Sequence, residues 1–369
     1  MSDMEQSAPE SARLAMSNGP ARPGAVDRRT GAAMEPPRAA SRAVFSALDL
    51  GTNNCRLLIA RPQGSGFRII DAFSRIVRLG EGLSANAELS DAAMDRAVDA
   101  LKICAQKIDR RRVTCLRSVA TEACRIARNC DRFIDRVHRE TGLRLEVISA
   151  GEEARLAVLG CQSLLVDDRP DALVFDIGGG STELIHVRRV QGAYKIMAWV
   201  SMPWGVINLA EKYDVRHADR AVFDTMVGEM CRALEAFSRD HSLAEDRSRG
   251  SVQLLGTSGT VTTLGSVYLG LPAYDRNKVD GLWIDLSDVR KLTHRVAEMS
   301  YEQRRQQPCI GPDRADLVVA GCAILEAILS LWPGDRLRVA DRGIREGILR
   351  NLMEQGPDVV LPPSVEGRP

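Results

Sequence analysis

The apolar residues of this chain recur first at every second position and then at every third and fourth, and the two periods alternate from about residue 44 to residue 355. In "AVFSALDLGTNNCRLLIARPQG" (43–64) two apolar runs flank a Gly-Thr-Asn-Asn turn, which predicts strands over 44–48 and 56–60 joined at 51–54. "GFRIIDAFSRIVRLGEG" (66–82) supplies the next strand of a meander. The period then changes. Met94, Ala97, Val98, Leu101, Cys104, Ala105 and Ile108 fall on one helical face, and Ser90 stands where an N-cap belongs. "VTCLRSVATEA" (113–123) returns to strand character, "RNCDRFIDRVHRETG" (128–142) is helical and "RLEVISA" (144–150) is a strand. "GEEARLAVLGCQSLL" (151–165) reads as a helix and "VDDRPD" (166–171) as a turn, with a domain boundary near Pro170. Beyond it, 218–239 is helical and "VQLLG" (252–256) is a strand. "DRADLVVAGCAILEAILSLW" (313–332) reads as an amphipathic helix, and 343–355 as a closing helix. The whole is mixed α/β.

One pattern occurs twice. "LDLGTNNCRLLIA" (48–60) and "FDIGGGSTELIHV" (175–187) align without a gap, placing Asp49 on Asp176, Gly51 on Gly178, Asn54 on Ser181 and Leu57 on Leu184. The separation of 127 residues is about one domain length, so two domains of duplicated architecture are expected. A third glycine loop, "LLGTSGTVTTL" (254–264), sits between a strand and a helix-like segment.

Composition narrows the class. With 44% apolar residues, 27% charged residues and a net charge of +1, the chain has the composition of a globular protein without the basic excess of a nucleic-acid binder. No nucleic acid and no membrane are expected as partners, since no apolar run reaches a membrane-spanning length. Nine cysteines are scattered without a C-x-x-C pair, which predicts reduced thiols and a cytoplasmic setting. The five histidines form no metal-spaced cluster, and His186 reads as structural. "DRRR" (109–112) reads as a solvated helix end. Residues 1–43 lack the apolar core of a signal peptide and read as a disordered tail, as does 358–369.

The repeated turns carry the chemistry. An Asp at a strand's C-terminal end can hold a hard cation while the turn's N–H groups meet phosphate oxygens, and glycine lets the backbone approach or adopt positive φ. Three such loops across two domains suit a polyphosphate chain gripped from both sides.

Here the sequence resembles the exopolyphosphatase/guanosine pentaphosphate phosphatase (Ppx/GppA) family of the actin, Hsp70 and sugar-kinase superfamily. The likeness spans roughly 44–355: the two hairpin segments, "VATEACRIARN" (119–129), "VISAGEEARLAVLG" (147–160), "GTSGTVTTL", "DRADLVVAGCAIL" and "DRGIREGIL", in that order. It implies two ribonuclease H-like, actin-like domains over 44–169 and 170–340 with a cleft between them, and a closing helix over 341–357. It implies a hydrolase releasing terminal phosphate from inorganic polyphosphate, or converting guanosine pentaphosphate to tetraphosphate in the stringent response. Glu153, Asp176 and Glu183 match the catalytic acids, with Glu153 set to activate water. Asp49, Asp176 and Glu183 would gather around Mg²⁺, with Mn²⁺ as a substitute and stimulation by K⁺ allowed. Thr52, Asn53, Asn54, Cys55, Arg125, Gly178, Gly179, Gly180, Ser181, Thr182 and Gly259 would contact phosphates, and Glu152 would serve the helix dipole. A homodimer is compatible with the resemblance.

Two departures stand out. The first loop reads G-T-N-N-C where the family commonly has G-S-N-S, and the sequence ends shortly after "GIREGIL", where long members continue into a helical HD-like domain. That favours short polyphosphate or the guanosine alarmones. Two rivals share these features: an ATP-dependent sugar or acetate kinase on the same architecture, and a non-catalytic alarmone sensor.

Overall fold

Strand β1 (Phe45–Leu50) turns back at Gly51, whose N–H donates to the Asn54 carbonyl at 2.9 Å, into β2 (Asn54–Gln63). The computed structural model describes residues 43–64, 66–166, 169–240 and 252–355; the tails read over 1–43 and 358–369 lie outside these apart from Ala43, as does part of the turn at 166–171. With β3 (Gly66–Ile76), β4 (Cys115–Ala120) and β5 (Glu146–Val147), the first two strands form a sheet of order β3-β2-β1-β4-β5. The second sheet contains β6 (Asp171–Ile177), β7 (Thr182–Val190), β8 (Ala193–Met202), β9 (Gln253–Thr257), β10 (Trp283–Asp285) and β11 (Arg336–Ala340). Its order is β8-β7-β6-β9-β11-β10.

The two sheets repeat one plan. β1–β2–β3 and β6–β7–β8 are antiparallel meanders, and β1 and β6 each pair in parallel with the next strand inward, β4 and β9. The two sheets thus form two mixed α/β halves of matching order, as the repeated sequence implied. Each sheet closes its own core, and Leu48, Leu57 and Phe133 in the first and Phe175, Leu184 and Phe223 in the second are fully buried.

Ser90 caps the helix Asp91–Arg110, its hydroxyl accepting from the Ala93 N–H at 3.2 Å, and the face read from the sequence packs on the first sheet. Three local readings need correction. "TEA" does not extend β4: the strand stops at Ala120 and a short helix runs over Glu122–Ile126. "RLEVISA" yields a strand of two residues, because Ser149 turns away to cap the helix Ala150–Cys161, accepting from Glu152 N–H. "DRADLVVAGCAILEAILSLW" is not amphipathic. Its helix starts at Val318 and is buried on all sides through Leu329, packed among the helices Arg220–Asp240, Leu286–Glu298 and Val206–Tyr213.

The final helix, Ile344–Gln355, returns to the first sheet, where Ile344, Ile348 and Leu349 pack with Phe45, Ala47 and Val119. It crosses helix 150–161 at very close range. A Cβ on Gly160 would fall 2.0 Å from the Gly343 carbonyl oxygen, and one on Gly347 2.0 Å from that of Leu156. The opposite face of helix 150–161, through Ala154, Val158 and Cys161, packs on the second sheet. Glu153 therefore rides on an element wedged between both sheets. No helix among the described residues is long and apolar enough to cross a membrane.

Candidate active site

A cleft of about 480 Å³ opens where the two β-hairpins face each other. The ladders decide which side chains reach it. Asp49 pairs with Arg56 across β1–β2, and Asp176 pairs with Glu183 across β6–β7, so each pair shares one face of its sheet. Arg56 and Glu183 are equivalent positions of the repeat, and all four side chains line the cleft. Thr257, beside Asp176 in the parallel β6–β9 ladder, leads into the helix Ser258–Tyr268, which brings Ser258 and Gly259 to the cleft. Glu153 enters from the first turn of helix 150–161.

The glycines of the second loop are needed chiefly for loop-to-loop contact. None of Gly178, Gly179 and Gly180 has positive φ. A Cβ on Gly179 would lie 3.0 Å from the Asn53 nitrogen, and one on Gly180 2.9 Å from Thr52 Oγ1. The two loops thus pack directly on each other at the cleft's edge. Positive φ appears instead at Ser258 (77°), a costly conformation for a residue with a Cβ. Its hydroxyl bonds to the Asp176 carboxylate.

Four carboxylates in this low-dielectric cleft perturb one another. Burial, and then the Asp176 carboxylate, push Glu183 up to about 7, although Ser181 and Ser201 hydroxyls each donate to its Oε1 at 2.7 Å. Burial pushes Asp176 up to about 6 against the pull of Arg56. Asp49 is raised by burial, with Arg56 and Arg345 opposing. Glu153 is raised by burial and by Glu183, while Arg125 Nη1–H donates to its Oε2 at 2.7 Å and pulls the other way. Arg314 and Arg345 add positive charge to the lining.

Of the residues singled out in the sequence, the cleft brings together Asp49, Thr52, Asn53, Asn54, Glu153, Asp176, Gly178, Gly179, Gly180, Ser181, Glu183 and Gly259. Three expected phosphate contacts lie elsewhere. Cys55 pairs with Leu50 on the opposite face of the first hairpin, fully buried with Sγ 3.9 Å from Cys104 Sγ. Thr182 occupies the equivalent place in the second hairpin, paired with Ile177 and donating to the Trp204 carbonyl at 2.7 Å. Arg125 stands behind the cleft, its guanidinium shared among Glu122, Glu153 and the Ile148 carbonyl. Glu152 points away, bonded to Arg117 and Arg155, and His186 lies 2.6 Å from Asp171 Oδ1 inside the second sheet.

Sequence reasoning missed Arg56, although its alignment with Glu183 was a usable signal. It also missed Arg314, Arg342 and Arg345, which stand within the recognised segments "DRADLVVAGCAIL" and "DRGIREGIL".

The expected gathering of Asp49, Asp176 and Glu183 around one ion is not formed by the side chains alone. Among the described residues no three His, Cys, Asp or Glu groups stand close enough to hold a metal. Asp49 and Asp176 project from different sheets, and Glu183 is turned onto two serines. The donor set still suits Mg²⁺, which commonly takes one or two carboxylates and completes its shell with water and phosphate oxygens. Asp49 Oδ1 is buried without a hydrogen-bond partner, as is Asn53 Oδ1 beside it in the first loop. Both residues line the cleft, and these oxygens are hard acceptors without a partner.

Known proteins resemble this chain over most of its length. The chain is 28% identical over 316 residues to a guanosine-5'-triphosphate,3'-diphosphate pyrophosphatase of Aliivibrio fischeri, a match covering 85% of this chain and 60% of that relative. The chain thus spans about 60% of the length of that curated relative. An Aquifex aeolicus Ppx/GppA structure superposes with a TM-score of 0.68 at 29% identity, covering 84% of this chain and 97% of that one. An exopolyphosphatase structure from Cytophaga hutchinsonii superposes with a TM-score of 0.75 at 25% identity, covering 85% and 98%. The family model of the Ppx/GppA phosphatase family matches residues 58–355, which includes the second half of β2, both later glycine loops, Glu153 and the closing helix, and the chain belongs to that family.

Proposed function

We propose that this protein is a Mg²⁺-dependent phosphoanhydride hydrolase that removes the terminal phosphate of inorganic polyphosphate or of guanosine pentaphosphate. The observation that supports it most is the position of Glu153: a buried carboxylate on the cleft wall, gripped through one oxygen by Arg125 and facing the glycine loops of both sheets.

In this reading the terminal phosphoryl group lies against the loops 51–54 and 178–181, and Arg56 and Arg314 offset its charge. Arg125 fixes the Glu153 carboxylate through Oε2 and leaves Oε1 to accept a proton from water. The water oxygen attacks phosphorus, the anhydride P–O bond breaks, and the shortened chain leaves with the bridging oxygen. Burial and the Glu183 carboxylate raise the proton affinity of Glu153, in the direction that suits a group accepting a proton from water. Asp49, Asp176 and Glu183 would hold Mg²⁺, which supplies charge neutralisation on the phosphate oxygens. Burial and mutual repulsion of these carboxylates are what a cation in the cleft would relieve.

The purified protein with Mg²⁺ and no acceptor is expected to release orthophosphate from polyphosphate or guanosine pentaphosphate. Phosphate transfer that depends strictly on an added sugar or carboxylate would favour a kinase instead. Tight binding with no turnover would favour a sensor.

A further inference from the structure

Arg78 stands just past β3 and does not itself line the cleft, yet its backbone and its side chain hold two different parts of it. The Val77 and Arg78 N–H groups donate to the Asn53 carbonyl at 2.8 and 3.0 Å, and Gly80 N–H donates to the Thr52 carbonyl at 3.0 Å. Residues 77–80 therefore back the first glycine loop. Arg78 sits there at φ 47°, a left-handed conformation that costs a residue with a Cβ. Arg96 fixes the bend, donating to the Val77 and Arg78 carbonyls at 2.8 and 3.2 Å. From this base the Arg78 side chain crosses to the half of the molecule built on the second sheet. Its guanidinium forks onto Asp316, Nη1 to Oδ2 at 2.8 Å and Nη2 to Oδ1 at 3.1 Å, and Nη2 also donates to the Asp313 carbonyl at 3.2 Å.

The segment so gripped carries Arg314. Arg304, 1% exposed, holds the same segment from within the second half, donating to the Ala315 carbonyl at 2.9 Å. Residues 313, 315 and 316 are thus tied down, while Arg314 between them reaches the cleft and donates from Nη1 to Thr263 Oγ1 at 2.8 Å. Burial, and then the charge of Arg56, disfavour the charged Arg314 guanidinium. The two cleft arginines therefore repel each other, and a fork drawing their elements together opposes that repulsion.

We propose that Arg78 is a positioning residue that acts through Arg314: by tying 313–316 to the first glycine loop, it sets Arg314 against that loop so that both grip one phosphoryl group. The inference rests on the reading that the cleft takes a terminal phosphoanhydride. Replacing the side chain leaves the backbone bonds of 77–80 to the loop in place, so its effect is separable from theirs.

The test is a double-mutant cycle on binding of imidotriphosphate, a non-hydrolysable analogue of tripolyphosphate, in Mg²⁺ buffer. Arg78→Ala and Arg314→Ala are each expected to raise Kd about 10-fold, the order of one lost charge-assisted contact to phosphate. The double variant should lose no more than about 2-fold beyond Arg314→Ala, because the first change acts through the second residue. Arg78→Lys keeps the charge without the fork and should fall between wild type and Arg78→Ala; Asp316→Asn should weaken binding in the same direction. These two milder variants carry the same cycle if Arg78→Ala fails to fold. Losses that multiply to about 100-fold in the double variant overturn the proposal, since Arg78 would then act independently of Arg314. So does a folded Arg78→Ala, Arg78→Lys or Asp316→Asn series that melts earlier but binds like the wild type, which would leave the fork a structural ion pair. Because binding is read without turnover, a wild type that shows the coupled losses yet releases no orthophosphate from polyphosphate or guanosine pentaphosphate overturns the hydrolase reading and not this one.

Discussion

Replacing Glu183 by Gln should stabilise the ligand-free protein while abolishing its activity. Glu183 is 2% exposed, its Oε1 accepts from Ser181 and Ser201, and Asp176 sits opposite it in the ladder. A rise from 4.5 to about 7 means that keeping this group ionised in the fold costs about 3 kcal/mol. The sign follows from linkage: the protonated form is favoured by the fold, so the penalty is nearly absent below pH 4.5 and complete above pH 7. Gln keeps an acceptor for both serines but forms weaker, uncharged hydrogen bonds, and its amide must find a partner. The net gain expected at pH 8 is about 1–2 kcal/mol, or roughly 2–5 °C in Tm. The assay is thermal unfolding in EDTA at pH 8 and pH 5, with phosphate release measured on the same preparations. An increase at pH 8 that shrinks to under about 1 kcal/mol at pH 5 agrees with the reasoning. Equal Tm at pH 8, or a gain that persists unchanged at pH 5, refutes it.

Ser258→Gly relieves a left-handed φ and should raise stability by up to about 1 kcal/mol in thermal melts. It also removes a hydroxyl that favours the Asp176 carboxylate, so the acid limb of the pH–rate profile should move to higher pH. Arg125→Ala leaves Glu153 buried without its cation and should cost about 3 kcal/mol in denaturant unfolding; Arg125→Lys should recover part of that stability but little turnover, having lost the planar fork. Asp71 is held at about 2 first by Lys107 and also by Arg111, so its contribution is present above pH 3.8 and is lost as pH falls towards 2. Asp71→Asn should therefore lower stability at pH 7 by about 1 kcal/mol, discounted for the exposure of Arg111, with the difference narrowing in acid.

Much of the fold was legible because the chain states it twice. The aligned segments at 48–60 and 175–187 become matching hairpins, and the acids they share reach the same cleft. Pairing register was the missing information. Cys55 and Thr182 are equivalent residues whose partners, Leu50 and Ile177, lie on the face away from the cleft, whereas Arg56 and Glu183 are one step on and face it. A period of two fixes that alternation once the turn is placed. Arg125 was a different case: its sequence neighbours cannot reveal that Glu153, on another helix, takes its Nη1. The arginines at 314, 342 and 345 come from the end of the chain, and only tertiary packing of the closing segments brings them to the first hairpin. Helix 318–331 deceived because a helix apolar on most faces reads as half-buried until its neighbours are known.

The hydrolase reading is tested most directly by running the reaction in ¹⁸O-labelled water with Mg²⁺ and no acceptor, using the wild type and Glu153→Gln side by side. The account predicts orthophosphate carrying one ¹⁸O per turnover from the wild type, and release slowed by about 100-fold or more in Glu153→Gln with substrate binding retained. Released phosphate without the label, or a Glu153→Gln variant that turns over like the wild type, would contradict it.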